Sequence, residues 1–165
     1  MAQFRYSSNI ITLLAIAVFS LASFCRADAV AVEVVNGGKS FYCTPEAVWD
    51  GDGPIWCKEG PRIRISGVAA REMDGSCRPN QPCPAVGAAE ARDRVVRLFG
   101  GATGKLKTGH ITVRAPTMSC ISEGSAGGSR TAAWCKSPVF GDLSCAVIAA
   151  GGAVRWPRYW GGHRC

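Results

Sequence analysis

Eight cysteines, Cys43, Cys57, Cys77, Cys83, Cys120, Cys135, Cys145 and Cys165, constrain the fold of this chain more than any other feature. A ninth, Cys25, lies in a leader-like segment. Arg5 precedes a nearly uncharged run from Ile10 to Phe24, and small residues follow at Ala27 and Ala29. A basic start, an apolar core and an A-x-A spacing predict a signal peptide over 1–27, cleaved after Ala27 or Ala29. The apolar run is shorter than the roughly 20 residues a membrane-spanning helix needs. Cleavage leaves residues 28–165 as one domain with an even set of cysteines, the mark of a disulfide framework in an exported protein. Zinc is the competing use, set aside because no C-x2-4-C pair occurs and the only histidines are His110 and His163.

Spacing suggests sequential bridges. Cys43 and Cys57 lie symmetrically about a hairpin, and Cys120 and Cys135 about a glycine loop. Cys77–Cys83 would close "RPNQP", and Cys145–Cys165 would pin the tail. Each bridge contributes about 2–4 kcal/mol.

The first half reads as short strands near 30–35, 41–49, 54–58 and 61–66, separated by "NGGKS", "DGDG" and "KEG" turns. A helix is predicted over 85–99, opened after Pro84 and stopped by Gly100-Gly101. Its apolar stripe is Ala88, Ala91, Val95, Leu98 and Phe99. Strands follow at 110–115, 117–122 and 130–135, then a helix over 142–151 capped by Asp142. This order predicts an α+β fold: a five-stranded OB-type β-barrel with two or three packed helices, braced by disulfides. Losing the leader removes two arginines and no acids, which leaves a net charge of about +5 and favours an anionic partner.

Three separated segments carry the candidate chemistry: "VWDGDG" (48–53), "RIRISGVAARE" (62–72) and "GGSRTAAWC" (127–135). In this order they resemble the staphylococcal nuclease (thermonuclease, TNase-like) family, over about residues 43 to 155. The resemblance implies an exported, metal-assisted phosphodiesterase acting on DNA or RNA, single strands preferred. Asp52 and the Ala70 carbonyl would hold a divalent cation, Ca2+ in the family. Arg64 and Arg130 would clamp the phosphate, and Glu72 would activate water. The resemblance and the leader together imply a bacterial protein, secreted or periplasmic, free of the membrane once the leader is cut. It is expected to act as a monomer.

The pattern is broken where the metal belongs. Ala69 stands where the family has its second calcium carboxylate, Arg71 replaces a proline, and Gly53 replaces a threonine. Calcium affinity follows ligand charge, so this site is expected to be weak unless Asp50 or Asp74 compensates. The alternative function is therefore a module that grips nucleic acid or another anionic polymer without cutting it. Arg71, Trp156 and Tyr159 are candidate nucleic-acid contacts. The basic aromatic tail either stacks bases or packs against the domain, tied down through Cys165. "GGATGKL" (100–106) is not a P-loop, because Phe99 and Leu106 occupy its first glycine and its Ser/Thr positions.

Overall fold

The computed structural model describes Met1 and residues 32–165. The predicted signal peptide, both cleavage positions and Cys25 lie outside the described residues. Of the strand expected over 30–35, residues 32–35 form none.

Nine strands build the main sheet: β1 (Ser40–Cys43), β2 (Pro45–Val48), β3 (Ile55–Cys57), β4 (Arg62–Ile65), β6 (Ala102–Lys105), β7 (Ile111–Val113), β8 (Met118–Ser125), β9 (Arg130–Ser137) and β10 (Gly141–Asp142). Its order is β1-β8-β9-β4-β3-β2-β7-β6, with β10 added to β9. Two short strands, β5 (Val68–Ala69) and β11 (Val154–Arg155), pair separately. Three helices among the described residues complete the α+β domain: α1 (Ala88–Leu98), α2 (Leu143–Ala149) and α3 (Pro157–Trp160). Among the described residues, no helix is long and apolar enough to cross a membrane.

The sheet corrects the expected architecture. It curls as an open half-barrel of eight to nine strands, not as a closed five-stranded OB-type barrel. One cause lies in the segment expected as a single strand over 41–49. Pro45 lacks an N–H to continue a ladder, and the Thr44 amide and hydroxyl turn aside to the Glu59 carboxylate at 2.8 and 2.6 Å. The segment splits there, so that β1 pairs with β8 while β2 pairs with β3 and β7. The second cause is the β6–β7 hairpin. Its first strand, "ATGK", has no apolar alternation to announce it, and all four of its residues are exposed.

Four disulfides fasten the sheet and loops as Cys43–Cys57, Cys77–Cys83, Cys120–Cys135 and Cys145–Cys165. Cys120 and Cys135 are register partners across β8 and β9, with Cα atoms 4.1 Å apart. Burial alternates along both of these strands, so Met118, Cys120, Ser122, Thr131, Ala133 and Cys135 face inward. Met118, Cys120, Ala133 and Cys135 share one core with Val48, Ile55, Ile63 and Ile65 of the neighbouring strands. Helix α1 closes this core with Ala88, Ala91, Val95 and Val96, and Phe99 follows at its end. Each large aliphatic or aromatic side chain buried here contributes roughly 1.5–3 kcal/mol of transfer free energy.

Two connections position the functional residues. Strand β4 runs parallel to β9, with Arg62 beside Arg130 and Arg64 beside Ala132. The β5–β11 pair and the bond from the Trp156 amide to the Gly67 carbonyl (2.7 Å) then bring the C-terminal tail onto the turn after β4.

Candidate functional site

The hairpin between β2 and β3 holds Asp50 and Asp52, both almost fully buried. Asp50 Oδ1 accepts the Asp52 amide at 3.1 Å, a local Asx turn that fixes the loop. The Asp52 side chain forms an ion pair with Arg64 through Oδ1, while its Oδ2 accepts the Ala70 amide at 2.7 Å. Its backbone carbonyl also accepts Arg64 Nη1 at 3.0 Å and the Ile65 amide at 2.9 Å. Arg64 is thus gripped by the hairpin from below. Burial lowers its pKa to about 10, partly opposed by Asp50, so it stays charged near neutrality. Burial also raises the Asp50 pKa to about 7; Arg64 counteracts this, and Glu72 adds to it.

The calcium arrangement implied by the family does not fit. Both Asp52 carboxylate oxygens are engaged, and Ala69 is a buried methyl paired with Val154. The Ala70 carbonyl accepts a 2.6 Å bond from Gln81 Nε2. A positive guanidinium fills the place beside Asp52 where a cation would need to approach.

Glu72 pairs with Arg78, Oε1 to Nε at 2.6 Å. Both lie on the Cys77–Cys83 side of the structure, in a loop braced by Arg71. Arg71 donates to the Pro84 carbonyl and to the Gly75 carbonyl, each at 2.8 Å. Its guanidinium is thus engaged with loop carbonyls. Arg130 is likewise partly committed, donating to Gly127 and Ala126 carbonyls at 3.3 and 3.1 Å. It is still close enough for its charge to act on both Asp50 and Arg64.

A cleft of about 300 Å³ opens beside these groups, lined by Arg64, Ser66, Arg78, Trp156 and Tyr159, with Glu123 at its side. The Trp156 and Tyr159 rings meet edge to face at 4.7 Å, and Tyr159 is 53% exposed. The tail packs against the domain, with Trp160 buried beneath Arg155, while Trp156 and Tyr159 flank the cleft. Arg78 was not singled out from the sequence. The signal for it was the short disulfide loop, which carries it beside Glu72.

A different group gathers at the start of α2. Asp142, Cys145 and His163 place ligand atoms within 4.8 Å of one another, the compact cluster of metal-ligating residue types found among the described residues. In this structure the Cys145 sulfur is bonded to Cys165.

No family model, curated protein or solved structure matches this chain. The resemblance to the staphylococcal nuclease family is not sustained. The sheet is open and has more strands than that fold, and the metal-type cluster sits at Asp142, Cys145 and His163 instead of at Asp52. The terms nuclease, hydrolase, OB-fold and nucleic-acid-binding, as drawn from that fold, lose their basis with it.

Proposed function

We propose that this protein binds a phosphate-bearing anion with a flat ring attached, and that a single strand of DNA or RNA is the ligand class that fits. One observation carries the reading: Arg64 and Arg78 share a single cleft with Trp156 and Tyr159. Guanidinium forks match phosphate oxygens in geometry and charge, and aromatic faces take bases without regard to sequence. Arg64 is held in place by Asp52, so little side-chain entropy is lost when it engages. Arg78 leaves Glu72 to do the same, since an exposed pair of this kind is worth little. The net positive charge of the chain favours the same partner.

Binding without cleavage is the form best supported, because the carboxylates that would serve hydrolysis are neutralised by arginines. Phosphodiester hydrolysis is the second reading, favoured by the pairing of Glu72 with Arg78, which lines the cleft. In that reading Glu72 activates the water, and Arg64 and Arg130 stabilise the phosphate charge. The two separate in one experiment. A labelled single-stranded oligonucleotide is incubated with the oxidised protein, with calcium, manganese or chelator, and followed by anisotropy and by product length. Retained length with saturable binding supports the first reading. Cleavage abolished by Glu72→Gln supports the second, and absence of binding overturns both.

A further inference from the structure

Outside the cleft, the C-terminal bridge carries chemistry of its own. Asp142 Oδ1 caps α2 by accepting the Cys145 amide at 2.9 Å, which leaves Oδ2 turned to His163 Nε2 at 3.1 Å. Cys145 Sγ lies 3.9 Å from the same nitrogen. The imidazole is preset: Trp134 stacks on it at 3.9 Å, 15° from parallel, and Trp160 Nε1 holds the His163 carbonyl at 2.7 Å. A fourth donor, Cys165 Sγ, is bonded to Cys145 and belongs to the exposed last residue of the chain.

We propose that Asp142, Cys145, His163 and Cys165 form a tetrahedral Zn2+ site that exists only when the Cys145–Cys165 disulfide is reduced. Zinc bonds of about 2.0–2.3 Å place tetrahedral ligands about 3.3–3.8 Å apart. The separations of His163 Nε2 from Asp142 Oδ2 and from Cys145 Sγ, 3.1 and 3.9 Å, already bracket that spacing, and all three donors lie within 4.8 Å of one another. Only Cys165 has to withdraw from disulfide distance, and it is exposed on the surface of the tail. Sequence spacing concealed the site because two of its ligands come from α2 and its cap, and two from a tail that folds back.

The redox step balances. A dithiol reductant supplies two electrons and two protons, which break the Sγ–Sγ bond and leave two thiols, while the dithiol closes to its own disulfide. Zinc then replaces the two thiol protons, which pass to solvent. Bridge and metal site are mutually exclusive states of the same two sulfurs, and each pins the tail to α2.

Cobalt is the probe, since thiolate ligation gives it a near-ultraviolet charge-transfer band. Protein treated with a phosphine reductant is expected to bind one Co2+ per chain with that band, and Zn2+ should displace it. Oxidised protein should show none. The Cys145→Ser/Cys165→Ser double variant should lose the band, and reduced Cys77→Ser/Cys83→Ser protein should keep it. His163→Ala should weaken binding by about 10-fold or more; so should Asp142→Asn, which preserves the helix cap. As a readout independent of cobalt, Zn2+ at a fixed thiol–disulfide ratio should raise the fraction of Cys145 and Cys165 open to alkylation. Equal metal binding with the bridge intact, a band surviving in the Cys145/Cys165 variant, or no binding after reduction would each overturn the proposal.

Discussion

Asp50 is a carboxyl group that folding makes harder to ionise. Its folded pKa of about 7 lies above the ordinary value of 3.8, with burial as the main cause. A raised folded pKa means that its contribution to stability is complete below about pH 3.8 and is lost as pH rises through about 7. Asp50→Asn keeps an oxygen for the Asp52 amide and removes the buried charge. The melting temperature of the variant, measured in chelator, should therefore gain on the wild type between pH 5 and pH 8. An unchanged difference across that range would show that Asp50 is not held neutral. Gly51, between the two carboxylates, is equally constrained. A Cβ there would meet the Gly152 carbonyl, the Ala70 methyl at 2.8 Å and the Ala91 methyl at 2.9 Å. Gly51→Ala should cost about 1–3 kcal/mol, as overpacking does, measured by denaturant unfolding.

At the scale of elements, the site depends on how the loop after β5 is held. Arg71 and the Cys77–Cys83 bridge brace the segment that presents Glu72 and Arg78. The Cys77→Ser/Cys83→Ser variant should keep the folded sheet, whose own bridges are Cys43–Cys57 and Cys120–Cys135, yet bind oligonucleotide more weakly. Binding at wild-type strength would show that the loop needs no brace. Helices α1 and α2 were legible because their caps and stops are local: Asp142 before α2, and Gly100 with Gly101, both at positive φ, after α1. The strands of the β2–β3 and β8–β9 hairpins were legible for the same reason. The split at Thr44 was not, because it depends on Glu59, a residue in a different turn. Strand β6 was hidden because an exposed strand carries no apolar period.

For the whole molecule, what the sequence could not give is the closure of the sheet and the pairing of charges. Alternation and turns are local, whereas sheet order and the ion pairs Asp52–Arg64 and Glu72–Arg78 form only after distant segments meet. The residues Asp52, Arg64, Glu72 and Arg130 were visible as a constellation, but a calcium site was inferred where an arginine sits. Core bridges belong to this scale as well. Removing Cys120–Cys135 by paired alanines should lower stability by about 2–4 kcal/mol without altering ligand affinity, since both sulfurs are buried within the sheet. A change in affinity equal to that in Arg78→Ala would show that sheet and cleft are coupled.

The central claim, that phosphate meets arginine and base meets aromatic ring in one cleft, is tested most directly by the salt dependence of single-stranded DNA binding in Arg78→Ala and Tyr159→Ala. Losing one phosphate contact should flatten the slope of log affinity against log salt by about 0.7 for a single strand. Losing one stacking ring should weaken binding by about 1–3 kcal/mol and leave the slope alone. Equal slopes in wild type and Arg78→Ala, or affinity unmoved in Tyr159→Ala, would place the ligand elsewhere and contradict the account.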